Sequence, residues 1–166
     1  EKSGNIAICT DVVINKDTVR IFNVHLQSYR IDPDRYSVIE NPGIPRKRDL
    51  REYRELAGKY RQAMIKRAAQ ARMISRKIRQ SPYPVLVCGD FNDTPASFAY
   101  RKTRGKLSDA FVCSGKGIGH TYVGKLPSFR IDYILHSKAF RSYNFRIHDI
   151  PYSDHLPISC EFRLGE

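Results

Sequence analysis

Val85-Leu86-Val87-Cys88-Gly89-Asp90-Phe91-Asn92 is an unbroken apolar run that ends in a carboxylate and an amide. It is entered from Ser81-Pro82-Tyr83-Pro84, which no helix continues through, and a continuous apolar run of this length predicts a strand covered on both faces. We read it as the central strand of a sheet, with Asp90 and Asn92 in the turn at its end. Asp93-Thr94-Pro95 then offers a capping side chain and a proline at the first helical position, which predicts a short helix starting near Pro95.

Upstream of the prolines, Leu50, Tyr53, Ala57, Tyr60, Met64, Ala68, Ala71, Ile74 and Ile78 recur every three or four residues, the apolar stripe of one long amphipathic helix. Its other face is basic: from Arg46 to Arg79 thirteen Lys/Arg stand against Asp49, Glu52 and Glu55, so this segment carries +10 of the chain's net +12. A solvated face of a helix covering a sheet accounts for that charge, and an anionic membrane surface or nucleic acid on the basic helix is the alternative. Before the helix, a polar stretch from Gln27 to Pro45 is long for a mere connector, which favours a functional loop. Asn5 to Ile14 and Thr18 to His25 read as a β-hairpin around Asn15-Lys16-Asp17. Downstream, Arg130 to Leu135, Tyr143 to Ile147 and Ile158 to Leu164 read as strands, and Gly115 to Gly119 as a loop lacking the Lys-Ser/Thr of a phosphate-binding P-loop.

The 166 residues, 41% of them hydrophobic and 28% charged, suit a single folded domain with a real core. No run approaches the roughly 18 apolar residues of a membrane span, and no signal-peptide pattern opens the chain. It does not begin with Met, so we expect a processed or partial piece, and the compartment is left open. Cys9, Cys88, Cys113 and Cys160 show no Cys-x-x-Cys spacing, and three of them sit in apolar runs, which predicts buried thiols rather than a zinc site.

Four polar clusters follow apolar runs: Phe22-Asn23-Val24-His25-Leu26, Gly89-Asp90-Phe91-Asn92, Arg130-Ile131-Asp132-Tyr133-Ile134 and Ser153-Asp154-His155-Leu156-Pro157. Cleaving a phosphate ester needs a cation or other electrophile, a base for water, and donors for the nonbridging oxygens, and these residue types supply all three. His155 is the candidate general base, with Asp132 holding its other ring nitrogen. Asp132, a carboxylate inside an apolar strand, requires a partner in any case, because burying it alone costs several kcal/mol. Asp90 could align water or support a metal, the Asn92 amide could hold a nucleophile or phosphate oxygen, His25 could donate to the phosphate, and Asp154 could complete a metal shell. Oxygen ligands of this kind suit Mg2+ or Mn2+ far better than zinc. His120, His136 and His148 are read as ordinary polar residues.

In that order and with those motifs the chain resembles the endonuclease/exonuclease/phosphatase superfamily from about Val19 to Ile158. The resemblance implies a mixed α/β, DNase I-like fold, a four-layer sandwich with two sheets face to face and helices outside. It also implies a metal-dependent hydrolase of nucleic acid, a phospholipid headgroup or a sugar or inositol phosphate. Carried over by position, His155 and Asp132 resemble the catalytic pair, Asp90 and Asn92 the water- and phosphate-orienting pair, His25 the phosphate-binding histidine and Asp154 the metal-adjacent aspartate. Asn23, Thr121, Tyr122 and Arg130 fall where substrate is contacted. The family's metal-binding glutamate lies ahead of the histidine strand, and Glu1 is too close to the hairpin to fill its place. The expectation is therefore one domain over 1–166 with its N-terminal part missing, binding magnesium weakly, turning over poorly, and prone to self-association through uncovered sheet.

Overall fold

In the computed structural model, which describes residues 6–29, 47–124, 129–150 and 152–165, the strand at Val85 is third of five in a mixed sheet. The sheet order is β1-β2-β3-β5-β4, with β1 spanning Ile6–Ile14, β2 Asp17–His25, β3 Val85–Asp90, β4 Ser108–Asp109 and β5 Asp132–His136. β1 and β2 form the antiparallel hairpin that the sequence predicts, turned by Asn15 at φ 57°, a left-handed conformation that asparagine tolerates better than most residues. β2 and β3 run parallel, a pairing that requires a crossover, and the helix α1, Lys47–Arg79, lies between them in sequence. β5 pairs antiparallel with both β3 and β4.

Phe22 and Val24 of β2, Leu26 just beyond it, Val85 and Val87 of β3, Phe91 just beyond that strand, and Tyr133 and Leu135 of β5 form one buried cluster with Ala71 and Ile74 of α1. A second helix, α2 (Phe98–Arg104), adds Ala99 and Tyr100 to that cluster. Each fully buried large side chain here contributes roughly 1.5–3 kcal/mol relative to exposure. α2 starts three residues later than Pro95: Ser97 is its N-cap, accepting from the Tyr100 amide, while Asp93 holds the Thr94 amide and an arginine of α1 instead.

The stripe on α1 is buried only in its second half. Ala71 and Ile74 are covered, whereas Leu50, Tyr60 and Met64 are exposed, and two residues outside the stripe, Ala63 and Arg67, are buried, the arginine fully although periodicity assigns it to the basic face. β1 is exposed on both of its faces: Ile6, Ile8 and Ile14 on one and Val13 on the other are all exposed, and among the described residues no strand pairs with its outer edge. That edge position explains why Cys9 is exposed. Cys113 is exposed too and Cys88 and Cys160 are half-buried, so the expected burial of the thiols does not hold, although all four are free.

A two-stranded antiparallel sheet, β6 (Phe140–Ile147) with β7 (Ile158–Leu164), completes the fold. Phe162 packs edge-on against the His136 ring of β5, and Phe145 against Phe111 of a short helix α3, Ala110–Ser114. Beyond Tyr29, the polar stretch read from Gln27 to Pro45 falls outside the described residues, as do Glu1 and the Asn5 start of the first strand. Among the described residues no helix is long and apolar enough to cross a membrane.

Candidate active site

Three strands bring the first part of the site into one row. His25 is in register with Asp90 across the parallel β2–β3 pair, and Asp90 with Asp132 across the antiparallel β3–β5 pair. Gly89 permits this approach. Its φ is +132°, and a Cβ there would lie 2.0 Å from the Val24 carbonyl oxygen, so no other residue fits beside β2.

Asn92 sits at φ 52° and curls back over Asp90. Its backbone N–H donates to Asp90 Oδ1 and its Nδ2 to Asp90 Oδ2, each at 2.6 Å, and Nδ2 also donates to the Leu26 carbonyl at 3.1 Å. Both amide hydrogens are therefore spent on Asp90 and β2. What remains for a ligand is Asn92 Oδ1, an acceptor, which suits a water nucleophile and not a phosphate oxygen. His25 is more exposed, with Nε2 3.6 Å from Asp90 Oδ2.

His155 arrives from the other side. Tyr122 and His155 form an isolated antiparallel bridge, bracketed by hydrogen bonds from Val123 N to Asp154 O and from Leu156 N to Thr121 O. The Ser153 hydroxyl accepts from the His155 amide, and the Tyr122 ring meets the imidazole edge-on at 5.4 Å. These restraints place His155 Nδ1 3.0 Å from Asp132 Oδ2 and 3.2 Å from Oδ1. A carboxylate only accepts, so Nδ1 carries the hydrogen and Nε2 keeps a lone pair. The hydrogen bond to Asp132 raises the His155 pKa above its ordinary value, with the Asp132 charge adding to it. Asp90 is pushed up to about 6, chiefly by burial and further by the Asp132 charge, against the Asn92 amide that favours its ionised form.

Asp90, Asp132 and His155 each offer a ligand atom within 4.8 Å of the others, the one such group among the described residues. Two acids this close, one of them raised in pKa by burial, fit a divalent cation that would offset their charge, and the oxygen donors suit Mg2+ or Mn2+. Asp154 is exposed and is not part of the group; its backbone carbonyl accepts from the Val123 amide, and its charge adds to the raised pKa of His155. Asn23, Asp132 and His155 also line a hollow of about 390 Å³ with Cys88, Gly89, Ile134 and Leu156 to Ile158.

Two residues expected to touch substrate are instead scaffold. Thr121 is fully buried, and its Oγ1 accepts from both the Ile131 and Asp132 amides at 3.1 Å, fixing the entry to β5. Arg130 is withdrawn under aromatic rings, its Nη1 donating to Asp109 Oδ2 at 2.7 Å and its guanidinium lying 4.7 Å from the Phe111 ring centre and 4.8 Å from that of Tyr133. Tyr122 stays beside His155. The sequence reading missed Ser153 as the residue that sets the His155 backbone, and the Tyr133 hydroxyl, which lies 2.6 Å from the Arg130 carbonyl and 2.8 Å from that of Asp93. A serine two residues ahead of a histidine was a visible turn signal for the first.

The family model described as "Endonuclease/Exonuclease/phosphatase family" matches residues 4–155. No curated protein matches the chain. Among solved structures, the truncated Caenorhabditis elegans TDP2 is 17% identical with a TM-score of 0.60, over 98% of this chain and 62% of that one. The human Nocturnin catalytic domain with bound sulfate is 19% identical with a TM-score of 0.57, over 99% and 54%. A Bacteroides thetaiotaomicron mannosyl-6-phosphatase is 18% identical with a TM-score of 0.57, over 90% and 53%. At these identities the likeness is one of fold, and the chain spans between about half and three-fifths of those structures.

Proposed function

The chain belongs to the Endonuclease/Exonuclease/phosphatase family, and from that premise we propose that it carries the catalytic centre of a divalent-metal-dependent hydrolase of phosphate esters. The observation that carries this reading is the 3.0 Å contact between His155 Nδ1 and Asp132, set beside Asp90 and Asn92 at the ends of neighbouring strands. An imidazole oriented by a carboxylate, with its second nitrogen free, is built to take a proton from water. Asn92 Oδ1 orients that water, and His25, the most exposed of the set, donates to a nonbridging oxygen of the phosphate. A Mg2+ or Mn2+ held by Asp90 and Asp132 would polarise the phosphoryl group. Asp132 thus has two neighbours to satisfy, and its principal work is to hold the tautomer of His155.

Bis(4-nitrophenyl) phosphate, assayed with Mg2+ or Mn2+ present, tests this. His155→Ala is expected to lower turnover by about 10²–10⁴-fold, the usual worth of general base catalysis. Hydrolysis that proceeds unchanged without His155 would remove the base from the mechanism.

A further inference from the structure

We propose that Arg67 of α1 is a positioning residue that locks Asn92 over Asp90 by gripping the exits of both site-bearing strands at once. Its Nε donates to Asp93 Oδ2 at 3.0 Å and its Nη1 to the Gln27 carbonyl at 2.8 Å. Asp93 directly follows Asn92, and Gln27 lies two residues past His25. Leu26 lies between these grips: its carbonyl takes the Asn92 side chain and its amide donates to the Asp90 carbonyl. One planar fork therefore spans the two backbone exits whose separation decides whether Asn92 Nδ2 can reach Asp90 and Leu26 together.

The clamp is itself braced. The guanidinium lies 4.1 Å from the Tyr29 ring centre, Tyr29 stacks on Tyr60 of the same helix, and Gln70 Oε1 accepts from the Gln27 amide. Arg67 has no exposed surface, and its Nη2 is buried with no hydrogen-bond partner among the described residues. A buried cation with a donor left over is a poor way to gain stability, since an apolar residue in its place would avoid the desolvation cost. What an apolar residue cannot do is hold a carboxylate and a carbonyl at a fixed spacing, as the rigid guanidinium does. Asn92 at φ 52° is the conformation so held, a left-handed one that asparagine tolerates and that its hydrogen bonds to Asp90 and Leu26 fix.

The catalytic consequence rests on the function proposed above; the geometric one does not. Arg67→Met, the double variant Arg67→Met/Asp93→Asn, which leaves no unpaired buried charge, and Arg67→Lys, which keeps the charge without the fork, are compared with the wild-type protein. Tyr100→Phe, which breaks a buried hydrogen bond to Asp109, serves as the control for general loosening. In 1H–15N spectra the side-chain amide protons of Asn92 are expected to exchange slowly in the wild type and in Tyr100→Phe, and to lose that protection in all three Arg67 variants. With bis(4-nitrophenyl) phosphate, kcat is expected to fall roughly 10–100-fold in those variants with KM little changed, the scale of effect that a small misplacement of a catalytic group produces. Unaltered Asn92 protection in the folded double variant, or equal loss in Tyr100→Phe, would overturn the clamp. A wild-type protein without hydrolytic activity would overturn the proposed function instead, leaving the amide spectrum to decide this inference.

Discussion

Asp109 and Asp90 are both carboxylates at the margins of the same sheet, yet they are treated in opposite ways. Asp109 receives Arg130 Nη1, the Tyr100 hydroxyl and the Phe111 amide, so a buried negative charge is matched by a buried positive one. Among the described residues Asp90 accepts hydrogen bonds only from Asn92, and its neighbours are another aspartate and two histidines. The first cluster is complete and has nothing left to offer a ligand. The second is short of positive charge, and its acid is held well above the ordinary carboxylate range. Closed polar clusters of this kind hold a fold, whereas open ones are where chemistry is done.

The largest effect that separates the two clusters should come from function. His155→Ala is expected to lower the proposed hydrolysis by about 10²–10⁴-fold and to leave the melting temperature within a few degrees. Arg130→Met should do the reverse. Leaving Asp109 buried without its counter-charge costs about 3–5 kcal/mol, visible in a denaturant titration, and this loss exceeds that of any single substitution in the open cluster.

Acidity gives a third separation. Asp90 has its folded pKa raised from 3.8 to about 6, so the native state binds its proton more tightly than the unfolded chain does. Stability should then fall as pH rises from about 4 to 6, by up to ~3 kcal/mol for a shift of this size. His155, also raised, contributes stability that is present below 6.5 and lost as pH climbs through its folded value. Asp90→Asn removes the first slope and, by taking away one of the charges that raise His155, keeps a smaller second one, carried by Asp132. Because the ionised form is the one that binds a cation, millimolar Mn2+ should restore melting temperature at neutral pH in the wild type and much less in Asp90→Asn. Activity runs the other way, rising with pH as His155 gives up its proton; Asp132→Asn should move that limb to lower pH while reducing kcat.

The smallest effect is expected where neither cluster reaches. Ile8→Lys on the exposed β1 should change stability by no more than about 0.5 kcal/mol, and a larger loss in thermal unfolding would mean that this face is covered.

The open cluster was legible in the sequence because His25 and Asp90 end short apolar runs, Asp132 interrupts one and His155 stands just ahead of another, and polar residues set against short apolar runs are readable without knowing what they pack against. The closed cluster was not. Arg130 precedes a strand as a substrate-contacting arginine would, and only the aromatic rings of Phe111 and Tyr133 around it show that it turns inward. Arg67 was hidden for a similar reason: hydrophobic periodicity scores arginine as a surface residue, and its partners at Gln27 and Asp93 are 40 and 26 residues away. The stripe on α1 was correct as a pattern but silent on where the sheet beneath it stops, so Leu50 and Met64 looked like core. Asp93 read as a helix cap for the same want of context, since a distant arginine had first claim on it.

The alignment of His25, Asp90 and Asp132 across three strands means that the centre is assembled by counting residues. Successive side chains on a strand point to opposite sides, so inserting or deleting one residue inside β2, β3 or β5 would turn a member of the row away altogether instead of shifting it slightly. The connections between those strands could be lengthened or trimmed without disturbing the row, but within the strands the spacing behaves like a lock with a single setting.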